Sequence, residues 1–506
     1  MNDRSQMRFH DPNAPRFLLT DQKGKFALGI GGYVRATAEY DFNGIVDDVD
    51  FYPALIGQPG KGNFAKNQFQ MDITTSTLFL KLVGRTKHLG DFVVYTAGNF
   101  RGDGKTFELQ NAYAQFLGFT IGYSYGSFMD LSALPATIDF AGPNGSAFYR
   151  TTQLSYMCDK LKNWRFGVAM EMPSVDGTTN SDVSINTQRM PDFAASAQYN
   201  WNSNSHIKLG AIVRSMTYSS NVHDKAFSTT GFGLQASTTF NVTKKWQVFG
   251  QFNYGKGIGS YLNDLSNLNV DIVPDPDNEG KMQVLPMLGW YAGLQYNICP
   301  NIFVSGTYSL SRLYSENNYP SDNPEAYRKG QYFVANAFWN VTSNMQVGVE
   351  YLRGWRTDFN SSTRHANRLE YDSKKGVTSY TIEGKEATSE EFQAYLAKLN
   401  SDYDELSVTI STMGENKVPN NEGALAESYD DYKLGDVVGG ASFTYVEKKN
   451  TSNDISNPDK TAGSQASKNY NTNSSTNPST GAAAGVTAAI IAAGAGLAIC
   501  AKRKKK

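Results

Sequence analysis

The chain has 506 residues, a formal net charge of −1 and an aromatic content of 13%. A near-neutral charge implies no general attraction to nucleic acid or to anionic lipid. The mean hydropathy of −0.44 excludes a protein built mainly of membrane helices, because each helical span needs about 20 consecutive apolar residues. The five scattered histidines and the odd number of cysteines, three, indicate no metal site, no cofactor and no disulfide framework.

The segment 26–42 shows the pattern that dominates the chain. Its sequence, FALGIGGYVRATAEYDF, alternates apolar and polar side chains over 17 residues. Such a strand is longer than most strands of soluble sheets, and it suits a tilted strand that crosses a bilayer with its charges facing water. The apolar face holds Phe26, Leu28, Ile30, Val34, Ala36, Ala38, Tyr40 and Phe42, and the polar face holds Tyr33, Arg35, Thr37, Glu39 and Asp41.

Sixteen such segments precede residue 371, which predicts an all-β fold, an antiparallel transmembrane β-barrel of about 16 strands. Tight polar turns alternate with long loops near 43–67, 129–146, 173–191, 257–286 and 315–329. This rhythm is typical of bacterial barrels, and it fits the alternative, a soluble β-sandwich or β-helix, less well. The predicted strands cover 26–42, 68–86, 91–101, 105–117, 119–128, 147–157, 163–172, 192–201, 206–218, 229–241, 246–256, 287–298, 302–314, 330–341, 345–356 and 362–370.

The character of the sequence changes after Glu370. We expect an N-terminal periplasmic segment at 1–25, the barrel at 26–370, and a small α/β or irregular region at 371–447 with a helix after the capping-box spacing at 388–391. The Asn/Ser/Thr/Lys-rich stretch 448–480 predicts a disordered linker. The apolar run with a basic end, 481–506, predicts one membrane helix. The first residues lack the basic and apolar regions of a signal peptide, so we treat the start as mature or truncated.

No catalytic motif stands out in the chain. It contains no HExxH, GxSxG, Walker-type loop or CxxC motif, which are the short patterns that carry a recognisable chemistry. His206 and His365 are isolated, and solvation in a turn or in the lumen explains them more simply than ligation. A barrel enzyme would need a Ser/His/Asp grouping, and the sequence suggests none. We therefore expect that the protein is not an enzyme.

Charged residues on the polar alternation would give the barrel lumen an electrostatic field. Because guanidinium groups bind carboxylates bidentately, lumen arginines would favour small anionic solutes. The alternative is that these charges solvate the wall and pair with one another. The basic candidates are Arg35, Arg165, Lys208 and Arg214, the acidic candidates are Glu39, Asp41, Glu171 and Glu350, and Arg101, Arg150 and Arg356 lie near strand ends where they could border a constriction.

Two segments carry a family signature. The first, at 128–145, reads FMDLSALPATIDFAGPNG and follows the strand FTIGYSYGS. The second, at 348–356, reads GVEYLRGWR and is followed by HANRL at 365–369. Together with the opening MRFHDP at 7–12, they make residues 5–370 resemble the DcaP-like porins.

The resemblance implies a homotrimeric channel in contact with outer-membrane lipid and linked to the uptake of small carboxylates. It also implies that the loop 129–146 folds inward and narrows the lumen, where Asp130 and Asp139 would meet wall residues or water. One feature departs from the family, whose last strand ends the protein at an aromatic residue. Here an unrelated sequence begins at Tyr371, which leaves the closure of the sixteenth strand open.

The tail has a resemblance of its own. NPSTG at 477–481, an apolar run and a basic end are similar to a sortase-type wall-sorting signal of Gram-positive bacteria. This conflicts with the bacterial outer membrane as the location of the barrel. Our hypothesis is that the sequence joins two unrelated genes near residue 370, by gene fusion or assembly error. Long-read sequencing of the locus tests it, since one unbroken reading frame would contradict the error version.

The function that these patterns favour is that of a porin. It would pass small hydrophilic or anionic solutes by passive diffusion, with no cofactor. The alternative is a non-transport surface adhesin or structural protein tethered by the tail. The polarity of the lumen separates the two, because an adhesin has no reason to alternate charge inward over sixteen segments.

Overall fold

The structure is a computed structural model of the chain. It describes residues 17–20, 26–45, 49–60, 66–86, 90–202, 205–342, 345–376, 380–382, 385–387, 403–410 and 441–447.

Sixteen long strands form one antiparallel barrel. Each strand pairs with its neighbours in the sequence, and β16 pairs back with β1 through contacts such as Glu39 with Glu370. The barrel is therefore closed, as the alternation predicts. The strands are β1 (Phe26–Asn43), β2 (Thr77–Thr86), β3 (Gly90–Gly102), β4 (Thr106–Phe116), β5 (Phe119–Tyr125), β6 (Arg150–Leu161), β7 (Trp164–Glu171), β8 (Asp192–Asn202), β9 (Ser205–Ser220), β10 (Lys225–Asn241), β11 (Trp246–Lys256), β12 (Pro286–Cys299), β13 (Ile302–Leu313), β14 (Tyr327–Thr342), β15 (Met345–Asp358) and β16 (Thr363–Gly376).

The last strand is longer than the sequence analysis predicts. It continues past Glu370 to Gly376, which lies opposite Tyr33 of β1. Asp372 keeps the inward alternation and lies 3.3 Å from the Nε of Arg35. Residues 371–375 pair with β15 on one side and with β1 on the other, and the predicted end of the barrel sequence at Glu370 is wrong by six residues.

Three other predicted boundaries also differ. The segment predicted at 68–86 is two strands and not one. Gln68–Asp72 pairs with residues 37–41 of β1, and a turn at 73–76 separates it from β2. Residues 126–128 and 147–149 do not extend β5 and β6. They belong instead to the long connection between those strands.

The two faces of the wall differ in chemistry. In β1, Val34 and Phe42 are exposed on the outer face, whereas Arg35, Glu39 and Asp41 are buried on the inner face. In β7, Trp164, Phe166, Val168 and Met170 are exposed in the same way. An apolar outer face and a polar inner face are what a barrel in a bilayer requires.

The long connections pack against the inner face. Ile45, Phe51 and Ile56 form one apolar cluster with wall residues Tyr332 and Leu352. A second, larger cluster joins the connection after β5 with the connection after β11, and it includes Phe128, Ile258, Tyr261 and Leu262. The apolar core is therefore made of loop side chains that contact the wall from within.

The remaining elements are short. The helical turns are Pro53–Leu55, Asp103–Lys105, Leu131–Ala133, Gly259–Tyr261, Leu265–Asn267 and Tyr319–Asp322. Among the described residues, no helix is both long and apolar enough to cross a membrane. The additional strands are Phe17–Thr20, Gln68–Asp72, Val183–Ile185, Val273–Pro274, Met282–Gln283, Tyr380–Ile382, Lys385–Ala387, Tyr403–Ile410 and Ala441–Glu447.

The tail is only partly described. Tyr380–Ile382 pairs with Lys385–Ala387, and Tyr403–Ile410 pairs with Ala441–Glu447. The predicted helix after 388, the linker 448–480, the apolar helix 481–506 and most of the N-terminal segment 1–25 lie outside the described residues. The division of the tail and the sorting-signal resemblance stay predictions.

Candidate functional site

The connection between β5 and β6, residues 126–149, is held by the wall at several points. The first is Glu350 of β15, whose carboxylate accepts hydrogen bonds from the backbone N–H groups of Ile138 and Asp139, both at 2.8 Å. Asn336 of β14 donates to the same carboxylate at 2.8 Å and to the carbonyl of Ala136 at 2.7 Å. Two wall strands therefore fix the middle of the connection.

Asp139 is the centre of this attachment. Its carboxylate accepts hydrogen bonds from the backbone N–H groups of Phe51 at 3.0 Å and Ala141 at 3.1 Å, and from the hydroxyl of Tyr332 at 2.8 Å. Burial raises the pKa of Asp139 well above its ordinary value, and the neighbouring carboxylates of Glu350 and Asp50 raise it further. The proton-binding state of Asp139 is therefore coupled to the position of the connection.

A second attachment involves Asp130. Its carboxylate lies 2.7 Å from Nε2 of His206 and accepts hydrogen bonds from Ser132 and Ser237, both at 2.6 Å. Burial would raise the pKa of Asp130, but His206, Lys208 and the Ser132 hydroxyl hold it well below its usual range.

This cluster brings together a serine, a histidine and an aspartate that no sequence pattern links. Ser132 Oγ lies 3.3 Å from Nε2 of His206, the same ring nitrogen that contacts Asp130. In a catalytic triad the aspartate orients the imidazole through the opposite nitrogen. The arrangement is therefore an attachment of the connection and lacks the geometry of a triad.

A third attachment depends on Gly145. Its N–H donates to Ser309 Oγ at 2.9 Å, and its carbonyl accepts from Asn253 at 3.0 Å. A Cβ at this position would lie 2.3 Å from the carbonyl oxygen of Leu310 and 2.5 Å from the nitrogen of Trp290. Only glycine allows the backbone to approach the wall so closely.

The connection leaves a cavity on the side of β1 to β6. Its volume is about 130 Å³. Arg150 lies at its edge, with its guanidinium carbon 4.6 Å from the ring centre of Tyr125 and 5.1 Å from that of Phe148. Its Nη2 donates to the Tyr125 hydroxyl at 3.0 Å. The cavity is lined by Tyr33, Arg35, Thr77, Tyr95, Asn99, Gln110, Asn111, Tyr125, Phe148 and Arg150 and, from the connection, by residues of 134–143 that include Asp139 and Phe140.

Four of the candidate residues meet at or near this cavity. Arg35, Asp139 and Arg150 line it. Arg101 lies 4.7 Å above the ring of Phe140 and pairs with Asp50. Arg35 also donates to the carbonyl of Ile138, so one wall arginine touches both Asp372 and the connection.

Most other candidates are buried in ion pairs or bonded to loops. Arg214 is fully buried between Asp192 and Asp271, both at 2.9 Å. Lys208 donates to the carbonyl of Met129. Arg165 is half-buried at the second position of β7, beside the short turn. Glu39 and Asp41 form ion pairs with Arg368. The carboxylate of Glu171 accepts hydrogen bonds from the backbone N–H of Ser127 and the hydroxyl of Tyr261. Arg356 forms an ion pair with Asp358.

The sequence analysis missed several partners of these charges. Arg368 and Asp372 continue the inward alternation of β16, so the period-two pattern could have identified them. Asp264 offers no such signal, since it lies in the connection after β11. Its carboxylate accepts hydrogen bonds from the backbone N–H of Ala54 at 2.8 Å and from the side-chain amide of Asn144 at 3.1 Å. Three connections therefore meet at one carboxylate. Among the described residues, no group of three or more His, Cys, Asp or Glu side chains could hold a metal ion.

No protein-family model matches the chain, and no curated protein matches it. Among solved structures, it is similar to the outer membrane channel DcaP of Acinetobacter baumannii, with a TM-score of 0.62 and 20% identity over 71% of this chain and 99% of that chain. An anion-selective porin from Comamonas acidovorans matches with a TM-score of 0.46 and 11% identity over 69% of this chain and 99% of that chain. The resemblance seen in the sequence is thus confirmed at the level of the fold: the chain folds as a closed, sixteen-stranded antiparallel β-barrel like that of the DcaP channel.

Proposed function

We propose that this protein is an outer-membrane porin that passes small hydrophilic solutes by passive diffusion. The fold and the opposed polarity of its two faces support a barrel that lies in a bilayer and encloses polar space. The observation that carries the proposal is the cavity of about 130 Å³ between the connection 126–149 and the wall. In this proposal the cavity is the constriction of the channel, and residues 129–146 narrow the lumen.

The solutes would include small carboxylates. The support comes from Arg150 at the cavity, since guanidinium groups bind carboxylates bidentately, whereas the second arginine there, Arg35, is paired with Asp372. Arg150 contacts two aromatic rings, those of Tyr125 and Phe148, which themselves meet edge to face at 5.7 Å, and these contacts fix its position without adding a negative partner. The protein would act as a homotrimer, as the sequence resemblance implies, and would have no enzymatic role.

Cysteine labelling during planar-bilayer recording tests the proposal. Thr77 lines the cavity, whereas its neighbour Leu78 is exposed on the outer face. Each is replaced by cysteine in the full chain, in a background where Cys158, Cys299 and Cys500 are serine. A bulky thiol reagent should lower the single-channel conductance of the T77C variant and leave that of the matched L78C control unchanged. Equal responses of the two variants would place the solute path elsewhere.

A further inference from the structure

The outer faces of strands β12 to β16 carry an uneven distribution of charge. Their described outward positions hold three Lys and Arg residues, Arg312, Lys329 and Arg353, and no carboxylate. The acidic residues of the same strands, such as Glu350, Glu370 and Asp372, lie on the inner face and are buried. All three cations are in the half of the barrel that borders the long connections. The outward-facing charges of these strands that the structure describes are therefore all positive.

Two of the three cations are direct neighbours in the sheet, and the third lies farther along the next strand. Arg312 of β13 lies directly opposite Lys329 of β14, and like charges in that position destabilise a sheet. Lys329 lies opposite Thr357 of β15, which is four residues from Arg353 along the strand. Four residues of a strand span about 13 Å. The set thus extends about 13 Å along the strands, and a bound anion would remove the repulsion between Arg312 and Lys329.

These cations have no acidic partner in the part of the chain that the structure describes. The Nε of Arg312 is buried and has no hydrogen-bond acceptor. By contrast, Lys256, at the end of β11 where a long connection begins, forms an ion pair with Glu316 at 2.8 Å. The patch therefore differs from the ordinary paired charges of the rim.

Aromatic rings orient two of the three side chains. The guanidinium carbon of Arg312 lies 4.4 Å from the ring centre of Tyr314, and that of Arg353 lies 4.9 Å from the ring centre of Trp355. Stacking occupies one face of a guanidinium group and leaves its N–H edge available for an anion. Phe333, opposite Arg353, is exposed. A ligand at this place must combine an anionic head with an apolar body.

We propose that Arg312, Lys329 and Arg353 form a binding site for the phosphate groups of a membrane lipid in the leaflet next to the long connections. This rests on the proposed function, since it requires the barrel to lie in a bilayer. Phosphate matches the fork geometry of arginine, and lysine adds a point charge. A lipid places its phosphate at the depth of the strand ends and its acyl chains against the apolar wall below. Basic pockets between membrane segments bind phosphorylated headgroups for the same reason.

Native mass spectrometry of the detergent-solubilised full chain tests this site. The probe is diphosphoryl lipid A, and the reference lipid is phosphatidylcholine of matched concentration. The variant R312Q/K329Q/R353Q should retain at least tenfold less lipid A than the unaltered protein. The control variant K225Q/K256Q/K281Q removes three charges from the same rim and should bind as the unaltered protein does. Equal loss in both variants, or no loss in the first, would overturn the proposal and leave the cations as general interfacial anchors.

Two further readouts keep the test independent of folding and of the proposed function. On the unaltered protein, lipid A that has lost its phosphates should not bind, and high salt should release the diphosphoryl form. Retention of the dephosphorylated lipid would contradict a phosphate site even if the triple variant cannot be refolded. Conductance of the R312Q/K329Q/R353Q variant should be unchanged, because the patch lies on the outer face. A lipid-binding protein without conductance would refute the porin proposal and leave the lipid site standing.

Discussion

Replacing Glu350 by alanine should loosen the middle of the connection 126–149, while its other attachments to the wall remain. The carboxylate of Glu350 is fully buried and accepts the N–H groups of Ile138 and Asp139 and the side chain of Asn336, each at 2.8 Å. Without this carboxylate, the buried N–H groups of Ile138 and Asp139 and the side-chain amide of Asn336 each lose a hydrogen-bond acceptor. The variant therefore tests whether this single carboxylate holds the middle of the connection.

The magnitude follows from the bonds that are lost. Each hydrogen bond to a charged group contributes about 1.5 kcal/mol or more, so the two backbone bonds account for about 3 kcal/mol. Loss of the repulsion between Glu350 and Asp139, which contributes to the raised pKa of Asp139, returns about 1 kcal/mol. The local opening free energy should fall by about 2 kcal/mol, which corresponds to an equilibrium constant for local opening that is about 30-fold larger.

Hydrogen exchange of peptides covering residues 131–142 measures this opening. The E350A variant should exchange about 30 times faster in that segment. The matched control is Q346A, since Gln346 lies on the inner face of the same strand and donates to Asn340 at 2.8 Å, outside the connection. Its exchange in 131–142 should equal that of the unaltered protein. Unchanged exchange in E350A, or the same increase in Q346A, would refute the attachment.

Three other predictions address charge. The R150Q variant should shift the reversal potential under a low-salt gradient toward cation selectivity. The control R165Q, at the short-turn end of β7, should shift it less. Equal shifts would contradict the proposal that the cavity is the constriction. Burial raises the pKa of Asp264 from 3.8 to about 6. The contact of Asp264 with the connections that hold Ala54 and Asn144 is therefore most stable below about pH 4. It loses up to about 3 kcal/mol of stability as the pH rises from there through 6. Hydrogen exchange of 262–268, corrected for intrinsic rates, should therefore be faster at pH 7.5 than at pH 5, and D264N should remove the difference. The R214M variant leaves two buried aspartates without their cation and should lower the free energy of unfolding by about 3–5 kcal/mol. Urea unfolding should show this as a lower midpoint. The control R165M should unfold at the same urea concentration as the unaltered protein.

The wall of the barrel could be predicted from the sequence because its signal is local. Alternation with period two places Arg35, Glu39 and Asp41 on one face whatever the rest of the chain does, and the structure has them buried on the inner face. The end of β16 was missed because Tyr371 is followed by Asp-Ser-Lys-Lys, which is polar at successive positions and hides the alternation. Its partners across the seam, residues 33–38 of β1, lie at the other end of the barrel sequence, so no local pattern reveals the pairing.

The attachments of the connection could not be predicted, because they join distant parts of the chain. Asp139 and Glu350 are 211 residues apart, and Asp130 and His206 are 76 apart. No spacing rule links such residues. The charges that the sequence analysis treated as candidates for a solute path are in many cases partners of one another or of loop backbone. The alternative, that these charges solvate the wall and pair with one another, agrees with Arg214 between its two aspartates, while the role of Arg150 in a solute path stays a prediction.

Liposome swelling tests the central claim, that the barrel is a passive channel for small hydrophilic solutes, most directly. The refolded full chain is reconstituted and challenged with neutral sugars and carboxylates of increasing size. The account predicts swelling rates that fall steadily with solute size and do not saturate with concentration, because the only barrier is a narrow polar constriction. A folded barrel whose liposomes swell no faster than empty ones, with every solute, would contradict it.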